Sequence, residues 1–160
     1  MTLSLRPVAN HDTHACLSIY LDAIHNGTSP HYTEAEREAW APRDAAHDLD
    51  AWESRLKTGL SFLAEDEAEP VGFITMTGDG YLDLFFVRPI ARRNGAAAAL
   101  YDHLLTAARE KGLTQLTTHA SHLARWFLER RGWTVLAPEM VERHGVSLER
   151  FEMCLTLNAD

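Results

Sequence analysis

The chain has 160 residues, 46% of them apolar, enough for a single domain over residues 1–160 that buries roughly two-thirds of its unfolded surface. A charged content of 24% excludes a disordered chain. No apolar run approaches the ~18 residues of a membrane span, and no basic-then-apolar leader opens the sequence, so a cytoplasmic protein is expected. Fifteen Lys and Arg against 23 Asp and Glu give a formal charge of −8, which argues against nucleic-acid binding through phosphates and fits solubility, or a cationic substrate or partner. Cys16 and Cys154 stand far apart without a C-x-x-C, as two buried thiols in a reducing compartment would.

Residues 3–8 alternate and predict an edge strand. His11 and Asp12 open a helix in which Cys16, Ile19, Tyr20, Ala23 and Ile24 recur at helical spacing until Gly27. Thr33 with Glu36 forms a capping-box pattern for a short helix to Trp40. Residues 44–57 are helical, with Leu49, Trp52 and Leu56 on one side. The period then changes. Residues 60–65 and 71–77 are strands around an acidic turn, and Gly78-Asp79-Gly80 is a hairpin turn. Residues 81–87 are nearly continuously apolar, as in a strand buried on both faces. Residues 95–111 form a strong helix ended by Gly112. A strand at 116–120, a helix from Ser121 to Arg131, and strands at 133–136 and 151–157 complete the chain. This order predicts an α/β layer fold with a mixed sheet.

The segment Val87-Arg88-Pro89-Ile90-Ala91-Arg92-Arg93-Asn94-Gly95-Ala96-Ala97 joins the buried strand to the long helix. Small residues at a helix start expose backbone N–H groups, and with the helix dipole they make an anion site. Arg92 and Arg93 add charge beside it, and a diphosphate suits it. The G-x-G-x-x-G and G-K-[ST] fingerprints are absent, and an ordinary strand–helix loop with an Ala-rich first turn remains the alternative.

In this context the sequence resembles the GNAT superfamily of N-acetyltransferases. The resemblance rests on Val87-Arg88-Pro89, on Arg92-Arg93-Asn94-Gly95-Ala96-Ala97, on Pro70-Val71-Gly72-Phe73-Ile74-Thr75, and on Ala124-Arg125-Trp126-Phe127-Leu128-Glu129 leading to Gly132-Trp133. A bacterial subgroup, the YafP-type uncharacterised acetyltransferases, is similar at His31-Tyr32-Thr33, Ala39-Trp40-Ala41, residues 81–87, Ala120-Ser121 and Val141-Glu142-Arg143. The resemblance implies the GNAT fold: a mixed, mostly antiparallel sheet of about seven strands, splayed between strands 4 and 5, flanked by four to five helices. It implies acetyl-CoA as donor, direct transfer to a primary amine, no metal, and a monomer or homodimer. The pyrophosphate would sit on the backbone of Arg93, Asn94, Gly95, Ala96 and Ala97 beside Arg92. The pantetheine arm would lie along Phe85, Phe86 and Val87, with Ser121 and Phe127 also contacting the donor.

Acyl transfer to an amine needs a proton acceptor and an oxyanion donor, which the resemblance assigns to a backbone N–H within 85–87. Asp83 is a lone carboxylate in an apolar strand and the first candidate base, unless it is a structural Asp bonded to backbone N–H groups or to an Arg. Tyr81, two residues earlier, shares its face; it falls where some superfamily members place a Glu base, or it is an aromatic wall. His119 ends the strand beside the splay, and imidazole is a common proton acceptor in catalysis; His144 lies in the last hairpin. The Tyr that many members place before the helix Glu, as general acid, is Leu128 here. His31, Tyr32 and Trp40 suit a flat or aromatic amine pocket, or a small satellite core. A small-molecule acceptor is the first reading. A protein lysine or N-terminus, and a CoA-binding module without turnover, are the alternatives.

Overall fold

The computed structural model describes residues 2–43 and 47–157. Seven strands form one sheet in the order β1-β2-β3-β4-β5-β7-β6. These are β1 (Leu3–Pro7), β2 (Leu60–Asp66), β3 (Glu69–Met76), β4 (Tyr81–Val87), β5 (Gln115–Ala120), β6 (Thr134–Arg143) and β7 (Val146–Thr156). The helices are α1 (Thr13–Gly27), α2 (Glu34–Trp40), α3 (Leu49–Lys57), α4 (Ala96–Glu110) and α5 (His122–Glu129). The expected start of the third helix at Asp44 falls outside the described residues; the helix itself is capped by Asp48, whose carboxylate accepts from Ala51 N. Likewise Thr33 and Glu36 cap α2 reciprocally. No helix among the described residues is long and apolar enough to cross a membrane.

The sheet separates two apolar layers. On one face Ile74, Met76 and Leu82 pack with Leu100 and Leu104 of α4 and Leu128 of α5. On the other, Leu63, Phe73 and Leu84 pack with Cys16 and Ile19 of α1 and Leu56 of α3. Each fully buried Leu or Ile contributes roughly 1.5–3 kcal/mol. Leu128, at the position of the expected phenol, belongs to this core.

Every strand contact is antiparallel except β4–β5, which pairs in parallel at Tyr81–Thr117 and Leu82–Thr118 alone. Thr118 Oγ1 donates to Leu82 O at 2.7 Å. Beyond that rung the strands diverge, and the expected splay is present. β4 also carries a bulge: Leu82 pairs with Met76 and Leu84 with Thr75, leaving Asp83 unmatched. The Leu84 N–H is taken up by Thr75 Oγ1 at 3.1 Å. A bulge re-aims side chains, and here it sends Leu84 and Phe86 to the same face as Tyr81 and Asp83.

Three expectations are corrected. β4 is not buried on both faces: Tyr81, Asp83, Phe85 and Phe86 are half-buried because they border cavities. The last hairpin is far longer than expected, its ladder running to Arg143–Val146 and turning at His144 (φ 49°) and Gly145 (φ 79°). Positive φ at both central residues is the two-residue hairpin geometry. Much of β6 faces solvent, so no alternation advertises it, and its Pro138 is tolerated on an edge strand. Finally, only Cys16 is buried; Cys154, on β7 between β5 and β6, is half-buried.

Candidate active site

Two cavities meet at the splay. The first, about 280 Å³, runs between β4 and the N-terminal ends of α4 and α5. Phe85, Phe86, Val87, Arg92, Gly95, Ala97, Ser121 and Phe127, all residues the sequence offers for donor binding, line it. Sequence reasoning missed Ala98, Trp126 and Arg131, which line it too. Phe127 packs edge-on against Phe85 at 5.3 Å, with the Arg131 guanidinium 3.6 Å over its ring. That places a cation on an apolar wall.

The cradle differs in detail from expectation. Gly95 adopts φ 85°, a left-handed conformation that glycine takes without strain, and it starts α4. The Ala96 N–H is already occupied by Asn94 Oδ1 at 3.2 Å, and Ala96 is buried. Asn94 Nδ2 in turn donates to Asp66. Asn94 therefore shapes the loop, and Ala97 and Ala98 are the first-turn residues that border the cleft. Arg93 is exposed and lies outside the lining. Arg92 is braced from α1: its Nη1 donates to Gly27 O at 2.9 Å. A Cβ on Gly27 would meet the Arg92 guanidinium at 2.1 Å, so Gly27 does more than stop a helix.

The amides in the gap follow from strand alternation. Arg88 N–H points to β3, bonding Val71 O at 2.8 Å. Those of Phe85 and Val87 consequently point the other way, into the splay.

The second cavity, about 210 Å³, lies on the α1–α3 side under the β6–β7 hairpin. Tyr81, Asp83, His119, Tyr32 and Trp40 all line it. Trp40, Phe86 and Ser121 border both cavities and mark their junction. Ser121 also caps α5, accepting from Ala124 N. His31 lines neither; it is exposed and stacks on His122 at 5.4 Å. The hairpin is clasped over the cavity by Tyr32, whose hydroxyl donates to Glu149 O at 2.8 Å. His144 Nδ1, 2.9 Å from Ala39 O, fastens its turn to α2, away from the cavity lining.

Asp83 is held by Arg55 of α3 through two hydrogen bonds, 2.7 and 2.9 Å, the paired state that the sequence left as an alternative. Tyr81 Oη lies 2.8 Å from His119 Nδ1. On its other side His119 Nε2 faces Glu139 Oε2 at 3.4 Å and Glu152 Oε2 at 3.8 Å. Burial, and then the Asp83 charge, push the Tyr81 phenol above its ordinary range, so it stays protonated at neutral pH. His119, Glu139 and Glu152 are close enough to hold a cation, but Arg150 already supplies positive charge there, bonding Glu139 at 2.6 Å. The overall acidity does not extend into this cavity: Arg55, Arg143 and Arg150 line it against Asp83 and Glu149.

A family model described as an acetyltransferase (GNAT) domain matches residues 28–155. The chain belongs to the GNAT family of acetyltransferases. It is 32% identical to the uncharacterised N-acetyltransferase YafP of Escherichia coli over 85% of this chain and 84% of that one. It is 33% identical to the peptidyl-lysine N-acetyltransferase YjaB of Salmonella typhimurium, over 64% of this chain and 76% of that one. The crystal structure of a GCN5-related N-acetyltransferase from Rhodopseudomonas palustris superposes with a TM-score of 0.90 at 30% identity, over 98% and 97% of the two chains. Solved GNAT-fold chains include one holding acetyl-CoA. This GNAT chain is accordingly an acyltransferase of the acetyl-CoA-dependent N-acetyltransferase class.

Proposed function

We propose that this chain transfers acetyl from acetyl-CoA directly to the primary amine of a small molecule. The observation that carries the reading is the meeting of the two cavities at Trp40, Phe86 and Ser121: a donor cleft and a separate, partly aromatic pocket share one opening at the splay. The second pocket holds the volume of about seven waters. It lies under the β6–β7 hairpin, which Tyr32 clasps through Glu149 O, and this cover favours a small acceptor over an extended peptide.

In this reading the thioester lies in the gap beside Phe85 and Val87. The amine nitrogen attacks the carbonyl carbon, the C–N bond forms, and the oxyanion accepts a hydrogen bond from the Phe85 N–H. Tyr81 takes the proton leaving the nitrogen as it passes its own to His119 Nδ1, and Glu139 and Glu152 stabilise the imidazolium. The C–S bond then breaks, and the coenzyme A thiolate takes a proton from water, since Leu128 is buried in the core. Asp83, matched by Arg55, neutralises the guanidinium at the pocket wall and is not the base.

The test is the thermal midpoint with and without acetyl-CoA, followed by an amine screen monitored by thiol release. A ligand at ~100 times its dissociation constant adds about 2.7 kcal/mol, or roughly 5–11 °C for a chain of this size. A rise with acetyl-CoA and none with ATP or NAD supports the reading; no rise at millimolar acetyl-CoA overturns it.

A further inference from the structure

The carboxylates and guanidinium groups lining the acceptor pocket have close side-chain partners with one exception. Asp83 is bonded twice to Arg55. Glu149 Oε1 lies 2.9 Å from His122 Nε2. Arg150 is bonded to Glu139. Arg143, at the end of β6 where the hairpin turns, is the pocket guanidinium that has no carboxylate partner among the described residues. Its one hydrogen bond is to the neighbouring Glu142 O at 3.2 Å. Arg143 is exposed at the rim and, with Tyr20 of α1, lines the pocket. A surplus cation therefore overlooks a small cavity of an otherwise acidic protein.

This arrangement disfavours a simple amine. A monoamine, a polyamine or a lysine side chain arrives as an ammonium ion. It would find Asp83 paired with Arg55 and an unpaired Arg143 guanidinium at the rim of the cavity. An amine that carries its own carboxylate meets neither difficulty. Its carboxylate satisfies Arg143, in the planar geometry that guanidinium groups match well, and its amine is left to turn toward Tyr81 and the junction.

We infer that the acceptor is a small aminocarboxylate, bound through its carboxylate by Arg143, with an apolar side chain against Tyr20, Tyr32 and Trp40. The inference rests on the acetyltransferase reading and narrows its substrate class.

The test uses matched pairs that differ by the carboxylate: leucine with isoamylamine, and phenylalanine with phenethylamine, with spermidine and a lysine peptide as cationic acceptors. Acetyl-CoA affinity is measured separately by calorimetry. For the wild-type chain, kcat/KM for the amino acid should exceed that for its decarboxylated partner by roughly 10- to 100-fold, the worth of a hydrogen bond to a charged group. Arg143→Gln should collapse that ratio toward one, mainly through KM, and Arg143→Lys should restore part of it. In the chain loaded with coenzyme A, N-acetylphenylalanine should bind more tightly than N-acetylphenethylamine, and Arg143→Gln should erase the difference; this readout needs no turnover. A ratio near one in the wild type, preference for spermidine or the peptide, or a ratio that Arg143→Gln leaves intact overturns the inference. In each of those cases acetyl-CoA binding and transfer leave the acetyltransferase reading standing, and preference for the peptide removes only its small-molecule acceptor. Failure to bind acetyl-CoA at all removes the reading and the inference together.

Discussion

Arg55 grips both oxygens of Asp83, at 2.7 and 2.9 Å, on the wall of the cavity where a proton acceptor is needed. A carboxylate so held has its charge matched by the guanidinium and one acceptor site on each oxygen engaged. The neighbouring pair, Tyr81 and His119, is the one with a place for a proton to go. Asp83→Asn should therefore reduce kcat by less than about tenfold, whereas His119→Gln should reduce it by about 100-fold or more, the range of general base catalysis. Steady-state thiol release with a single amine compares the two. A larger loss from Asp83→Asn than from His119→Gln would reverse the assignment.

Gly27 and Arg92 are in intimate contact, and the glycine is what permits it. Gly27→Ala places a methyl group where the guanidinium now lies. The expected result is an acetyl-CoA dissociation constant raised by about tenfold, with the far-ultraviolet dichroism unchanged. Calorimetry on the two proteins checks this.

Asp12, buried at the start of α1, is hydrogen-bonded to Arg6 at 2.7 and 2.9 Å and accepts from Ala9 N. The Arg6 bonds hold its carboxyl below the ordinary range. A depressed folded-state value stabilises the fold fully above the unfolded value of about 3.9, and that stability is lost as pH falls through the folded value. The thermal midpoint should accordingly drop below about pH 4. Asp12→Asn should lower the midpoint at pH 7 by roughly 2–12 °C, from a loss of about 1–3 kcal/mol, and flatten the acid limb. Melts from pH 2.5 to 7 on both proteins decide it.

Behind the donor cleft, Trp133 Nε1 donates to Tyr101 Oη at 2.9 Å, and both rings are buried. Tyr101→Phe removes the acceptor and strands the indole N–H. The expected cost is about 1–3 kcal/mol, read as a midpoint lowered by roughly 2–12 °C.

The elements with a marked period were legible from the residues alone. α1 and α4 bury one stripe each, and β3 and β4 carry their apolar runs between Gly and Pro punctuation. The last hairpin was not, because solvent reaches much of β6 and no pattern records its pairing. Its length matters, since Arg143, Glu149 and Arg150 reach the acceptor pocket from it. The Asp83–Arg55 pair was equally hidden: the partners lie 28 residues apart and meet through a bulge that one strand read alone does not reveal. His119 and Tyr81 could each be nominated, but their mutual contact depends on the parallel β4–β5 register. His31 shows the opposite error, a residue placed in the site by its neighbours in sequence and turned out of it by the loop.

The seam between β4 and β5 is two ladder pairs long, while β2 and β3 are paired along seven. Mechanically the sheet is two leaves joined by a short strip, and its plane of least resistance passes through the place proposed for acyl transfer. A donor arm lying along Phe85 and Val87 would stitch the leaves together. The loaded chain should then resist shear and slow amide exchange along β4, and departure of the spent donor should restore compliance to that seam.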